Sequence, residues 1–337
     1  VSNAFLAGSR CRWRRPAAGG DSLDVVAWLW VILGVALLYF GGELLVRHAV
    51  ALARRIGMSP LVVGLTVVAF GTSAPELAAT LAAALGGNPQ VAYGNVVGSN
   101  IANLSLVLGL AALVHPLRTK ARFIRREMPF LLIVSLVLYF VIADGWIGRV
   151  EGILLFAGLL AYLTYLLREK EEVPDVEAEF AAEYARSGPA PWISLLGVAA
   201  GVVLLTAGAS ALVEGAATLA RAWGVSDRVV GLTVVALGTS LPELASALVA
   251  ARKGESELVL GNLVGSNIFN VFAILGITAM VRPIQPDGPG IVIDLSVMLG
   301  LVLLAWPFLY TGLRLGRREG AVLLLVYLVY VRYLFAA

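Results

Sequence analysis

Two stretches of the chain are near copies of one another, 167 residues apart. Gly64 to Glu76 reads GLTVVAFGTSAPE and Gly231 to Glu243 reads GLTVVALGTSLPE, with eleven of thirteen positions identical. Eighteen residues beyond each glutamate a second match follows, GNVVGSNIAN from Gly94 and GNLVGSNIFN from Gly261. The offset never slips, so no insertion separates the copies. Each copy places one carboxylate inside an apolar segment. A symmetric fold brings the two carboxylates together, and such a pair is a cation site.

The sequence is 59% hydrophobic and 14% charged, against about half apolar and a quarter charged in soluble domains. Apolar runs of ~20 residues, enough to cross a ~30 Å hydrocarbon layer, recur along its length. The expected fold class is an all-α membrane protein. Ten spans are expected, near 25–47, 60–86, 91–115, 127–143, 148–167, 191–220, 228–251, 257–281, 291–312 and 319–335. A single cysteine, Cys11, excludes a disulfide framework and cysteine-based metal chemistry. The net charge of +3 gives no sign of a nucleic-acid partner.

Residues 1–24 read as a disordered tail, and the run from Val25 as a first span too long for a signal core. Residues 25–168 then form one five-helix repeat and 191–337 the second, joined by an acidic cytoplasmic linker at 169–190. With the N-terminus outside, the inside loops hold fifteen Lys and Arg and the outside loops and C-terminus five. Basic residues favour the inside. Five spans reverse direction, so the two repeats enter the membrane from opposite faces. Inverted repeats of this kind build many secondary transporters, with the substrate near the midplane.

Broken helices are expected at spans two and seven. Pro75 has no N–H, so the Gly71 carbonyl loses its intrahelical partner. Thr72, Ser73 and Glu76 add hydroxyls and a carboxylate at that break. Thr239, Ser240, Pro242 and Glu243 repeat the set after Gly238. Hard oxygen donors suit Na⁺ or Ca²⁺ rather than zinc or copper. In span three Asn95, Ser99 and Asn103 lie four apart and stripe one helix face, with Gly94 and Gly98 allowing close approach. Asn262, Ser266 and Asn270, with Gly261 and Gly265, match them in span eight. Pro, Gly and Ser also serve as plain packing and kink elements in membrane helices. A buried glutamate costs ~2.5–3.5 kcal/mol on insertion scales, if it behaves as aspartate does. Having it twice argues for function. Glu43 and Arg47, four apart, read as a local pair.

The doubled G-T-S-x-P-E and G-N-x-x-G-S-N-I-x-N motifs resemble the α-repeats of the cation/calcium antiporter superfamily, the sodium/calcium exchangers of prokaryotic type. The resemblance is strong over residues 40–115 and 207–282. It implies that Glu76 and Glu243 hold a central Ca²⁺. It implies further that Thr72, Ser73, Thr239, Ser240, Ser99, Ser266, the carbonyls of Ala69 and Ala236, and Asn103 join Na⁺ and Ca²⁺ sites. Many members carry aspartate where this chain has Asn270, so the site keeps two carboxylates rather than three, which bears on the stoichiometry and on the choice of Na⁺ or H⁺.

The implied function is secondary active antiport of Ca²⁺ for Na⁺ by alternating access, Ca²⁺ moving outward, in a prokaryotic inner membrane. The chain is then no enzyme and needs no cofactor, the ions being cargo. A Ca²⁺ neutralises two carboxylates, whereas an empty site would carry two negative charges through low dielectric. Each crossing is therefore coupled to cations. The alternatives are H⁺-coupled or K⁺-dependent antiport, and a cation channel that needs no counter-ion. An intramembrane hydrolase is disfavoured, because no His or Lys neighbours Ser73. The oligomeric state is not encoded in the sequence.

Overall fold

A computed structural model describes residues 20–142, 145–168, 190–224, 236–286 and 290–336. The expected tail up to residue 19, the linker 169–189 and the start of the seventh span lie outside the described residues.

Helix α1, Gly20–Ile56, outruns its apolar stretch and stops where Gly57 takes φ 70°, with Arg54 and Arg55 in its last turn. Ser59 caps the next helix, accepting the Val62 N–H at 3.4 Å, and Pro60 starts it. This helix, α2, spans Pro60–Thr72 and bends by 44° into α3, Ala74–Leu85. After the turn at Gly87 (φ 80°) come α4, Pro89–Val114, α5, Ala121–Val141, and α6, Arg149–Arg168. The second half holds α7, Pro191–Ala222, a short turn Ala236–Gly238, α8, Leu241–Arg252, and α9, Ser256–Val281. Helices α10, Gly290–Tyr310, and α11, Arg317–Ala336, complete it. The bounds of α3 and α8, and of α4 and α9, differ by the same 167 residues as the motifs.

Among the described residues, six helices are long and apolar enough to cross a membrane, or seven with α2 and α3 as one bent span. Helix α9 is buried from Leu258 to Gly276, whereas Ile32, Phe140, Leu154, Leu196, Val203, Val292 and Leu325 point outward. An apolar exterior of this breadth fits hydrocarbon, not water.

Two short backbone ribbons tie the halves together. Leu117–Arg118 pairs antiparallel with Arg314–Leu315, and Ile147 bridges Ile284. Helix α5 lies between residues 118 and 147, so the ribbons sit at its opposite ends. Helices α1 and α7 pack backbone to backbone. A Cβ on Gly34 would fall 2.8 Å from the Gly208 carbonyl, and one on Gly41 would fall 3.0 Å from that of Gly201. Gly34 and Gly41 are repeat mates of Gly201 and Gly208, so these contacts are reciprocal. Glu43 does not pair with Arg47 as its spacing predicts. It bonds Lys253 beyond the end of α8, because α1 lies against that helix and the lysine is in reach.

Candidate ion-binding site

The site grows from the break between α2 and α3. The Ser73 N–H still reaches the Ala69 carbonyl at 3.0 Å, but Ser73 itself leaves helical geometry (φ −85°, ψ 3°) and α3 restarts with Pro75 in its first turn. The Ser240 backbone, at φ −89° and ψ 4°, repeats this ahead of Pro242. A proline costs nothing at a helix start, where its missing N–H is unneeded. Each break thereby delivers a glutamate to the first turn of a new helix. Glu76 and Glu243 are 1% and 0% exposed.

The breaks reach across to one another. Ser73 Oγ donates to Glu243 Oε1 at 3.3 Å, and Ser240 Oγ donates to Glu76 Oε1 at 3.5 Å. Thr72 Oγ1 donates to Asn262 Oδ1 at 3.2 Å, and Thr239 Oγ1 to Asn95 Oδ1 at 3.3 Å. Asn95 is held in turn by Thr80 Oγ1 at 2.9 Å and the Glu76 carbonyl at 3.3 Å, and Asn262 by Ser246 Oγ at 3.1 Å. Residue i of one half thus meets residue j of the other, and j meets i, the signature of a two-fold relation.

Ser99 Oγ lies 3.4 Å from Ser240 Oγ, and Ser266 is fully buried. Ala69 is also buried, and its carbonyl keeps a second lone pair beyond its helix bond. Ala236 opens the short turn before Thr239. The glycine stripe packs as expected on α9, where a Cβ on Gly261 would strike the Leu61 carbonyl at 2.4 Å and one on Gly265 would meet Leu65. The repeat mate of that α2 surface, ahead of Ala236, lies outside the described residues. No described atom approaches within 4 Å of a Cβ placed on Gly94 or Gly98.

Among the described residues, seven buried side-chain oxygens have no hydrogen-bond partner, and five of them belong to these helices' site residues: Glu76 Oε2, Glu243 Oε2, Asn103 Oδ1, Asn270 Oδ1 and Ser266 Oγ, the other two being Ser194 Oγ and Thr278 Oγ1. Buried polar atoms are almost always satisfied, and the five come from the broken helices and the facing stripes. Among the described residues no basic side chain pairs with either glutamate, and no third acidic, His or Cys group joins them. A set of bare oxygens and uncompensated carboxylates takes a hard cation. It fits Na⁺ and Ca²⁺ and lacks the nitrogen and sulfur that zinc selects.

Two features escape sequence reading. Helices α4 and α9 loosen into π turns at Asn103–Val107 and Asn270–Leu275, starting at the orphaned asparagines, and such turns often mark functional sites. Asn100 and Asn267 bond across the interface, although they lie one residue off the four-residue stripe. Their identity in both copies was the signal available.

Known proteins resemble the chain along nearly its whole length. The family model described as sodium/calcium exchanger protein matches residues 26–168 and 193–336. A putative antiporter, CaxA, from Alkalimonas amylolytica is 38% identical over 322 residues, covering 93% of this chain and all of that protein. The sodium/calcium exchanger MaX1 of Methanosarcina acetivorans is 33% identical over 348 residues, 92% of this chain and 99% of its own. The solved structure of the sodium–calcium exchanger NCX_Mj, soaked with Na⁺ and Sr²⁺, superposes with a TM-score of 0.79 at 28% identity, covering 92% of this chain and 98% of that one.

Proposed function

The chain belongs to the sodium/calcium exchanger family, a family of membrane antiporters and not enzymes, and on that premise we propose that it exchanges Ca²⁺ for Na⁺ by alternating access, moving Ca²⁺ out of the cell. The observation that carries this is the pair of buried, uncompensated carboxylates, each with one bare oxygen, together with the bare oxygens of Asn103, Asn270 and Ser266. Glu76 and Glu243 hold the central Ca²⁺. Thr72, Ser73, Thr239, Ser240, Ser99, Ser266, Asn103, Asn270 and the carbonyls of Ala69 and Ala236 complete the sites for Ca²⁺ and Na⁺. Ca²⁺ takes six to eight such oxygens, and both halves contribute donors to that number. Na⁺ as counter-ion is supported by the ligand set and by the likeness to the sodium/calcium exchangers MaX1 and NCX_Mj.

The reciprocal bonds and the paired ribbons support two halves of five spans each, inverted relative to one another, at 25–168 and 191–337. Helix α1, the bent pair, and α4 to α6 make the first five. Helix α7, the segment ending in α8, and α9 to α11 make the second. The loop charges support an outside N-terminus in the inner membrane of a prokaryote.

Alternating access needs an element placed unequally on a symmetric core. Helices α1 and α7 fit that need. Their mutual contacts are reciprocal, yet Gly42 of α1 packs on Ala245 and Val249 of α8, while α7 has no comparable packing on α3 among the described residues. The Glu43–Lys253 pair joins the same unequal contact, and its repeat mates, Ser210 and Gly86, form no ion pair.

The deciding experiment is ⁴⁵Ca²⁺ uptake into proteoliposomes with a Na⁺, K⁺ or proton gradient imposed in turn. Uptake driven by internal Na⁺ is expected. Uptake that needs no trans cation identifies a channel, and uptake driven only by protons or K⁺ replaces the counter-ion.

A further inference from the structure

Four asparagines meet where α4 crosses α9. Asn100 Nδ2 donates to the Asn267 carbonyl and Asn267 Nδ2 to the Asn100 carbonyl, both at 3.4 Å. Asn103 Nδ2 donates to Asn267 Oδ1 at 3.1 Å, and Asn270 Nδ2 to Asn100 Oδ1 at 2.9 Å. Asn100 Nδ2 also lies 3.7 Å from Met298 Sδ. All four are buried.

We propose that Asn100 and Asn267 are positioning residues that turn the carbonyl oxygens of Asn270 and Asn103 toward the ion, and that they demand an uncharged hydrogen-bond donor at both positions. The inference rests on the cation site proposed above and deepens it.

A backbone carbonyl can only accept, so the amide of Asn100 must present its nitrogen to the Asn267 carbonyl. That places Asn100 Oδ1, a pure acceptor, against residue 270. Residue 270 must then supply a donor there, and its own oxygen is turned away. That oxygen, Asn270 Oδ1, is one of those without a partner. The mirror relay runs from the Asn100 carbonyl through Asn267 to Asn103, whose Oδ1 is likewise orphaned. Each half therefore orients a ligand of the other.

An aspartate at 270 has no donor to offer when ionised. One of its oxygens would face Asn100 Oδ1 at about the present 2.9 Å spacing, and Asn100 cannot flip without setting its oxygen against the Asn267 carbonyl. The relay thereby holds the site at two carboxylates, the charge that one Ca²⁺ neutralises.

The test is a double-mutant cycle read by Ca²⁺ uptake in proteoliposomes, separating half-saturating Ca²⁺ from maximal rate. Asn100→Ala raises half-saturating Ca²⁺ roughly tenfold in the native background, the size of one buried hydrogen bond. Asn270→Asp impairs uptake more severely. In the Asn270→Asp background, Asn100→Ala removes the opposing oxygen and improves uptake, reversing its sign. A merely structural asparagine gives the same loss in both backgrounds, and that result overturns the proposal. The mirror cycle of Asn267→Ala with Asn103→Asp reads the same relay from the other half should Asn100→Ala fail to insert. Wild-type protein that carries no Ca²⁺ against any cation gradient removes the transport reading itself; transport with additive cycles removes the relay alone.

Discussion

Glu76 and Glu243 each receive a serine hydroxyl from the opposite half on one oxygen and keep the other bare. Removing the charge from one side leaves the other glutamate buried without its share of the cation. Breaking a buried charge interaction costs about 3–5 kcal/mol. Glu76→Gln or Glu243→Gln is therefore expected to lower Ca²⁺ uptake by about a hundredfold or more while the protein still inserts, and wild-type uptake in either variant removes that residue from the site. Ser73→Ala and Ser240→Ala each delete one hydrogen bond to a carboxylate, so a loss of about tenfold is expected from each. These residues were legible in the sequence because a carboxylate in an apolar run is costly and here occurs twice. Asn100 and Asn267 were not legible, since their partners lie 164 to 170 residues away.

The elements divide into a core of broken helices and a tightly packed pair. Pro75 prevents α2 from running on into α3. Pro75→Ala restores an N–H for the Gly71 carbonyl, and straightening the helix withdraws Ser73 and Glu76 from their partners. Uptake is expected to fall about tenfold or more while the protein still inserts; unchanged uptake would show the break to be dispensable. Helices α1 and α7 meet through Gly34, Gly41, Gly201 and Gly208. Gly208→Leu drives atoms into the Leu38 and Gly34 backbones and is expected to destabilise the protein by about 1–3 kcal/mol. Val203→Leu, on the exposed face of the same helix, serves as control in the same thermal unfolding assay. The breaks follow from Gly and Pro in the sequence. The π turns do not, because no residue pattern marks an i→i+5 bond.

At the scale of the molecule, the proposed inverted halves predict which loops share a side. Cys11 is the single cysteine, so a Cys11→Ser background accepts single reporters. Trp223→Cys is expected to react with an impermeant thiol reagent added outside intact cells, and Arg314→Cys only after permeabilisation. The reverse pattern inverts the proposed orientation, and labelling of both from outside contradicts the span count. The two ribbons support the expected arrangement, because Leu117 with Leu315 and Ile147 with Ile284 lie at opposite ends of α5.

By itself the sequence determined that the protein is apolar and helical, that it carries two copies of the same motifs, where helices break, and which oxygen donors stand near each break. These are local or periodic properties, set by hydropathy, by the missing proline N–H and by an unchanging repeat offset. Only the tertiary structure decided that each serine serves the glutamate of the other half, that Glu43 bonds Lys253 in place of Arg47, and that the amides of Asn100 and Asn267 dictate which atoms of Asn270 and Asn103 are left bare. Those outcomes depend on contacts between residues far apart in the chain, where hydrogen-bond polarity is passed from a backbone carbonyl through one side chain to the next.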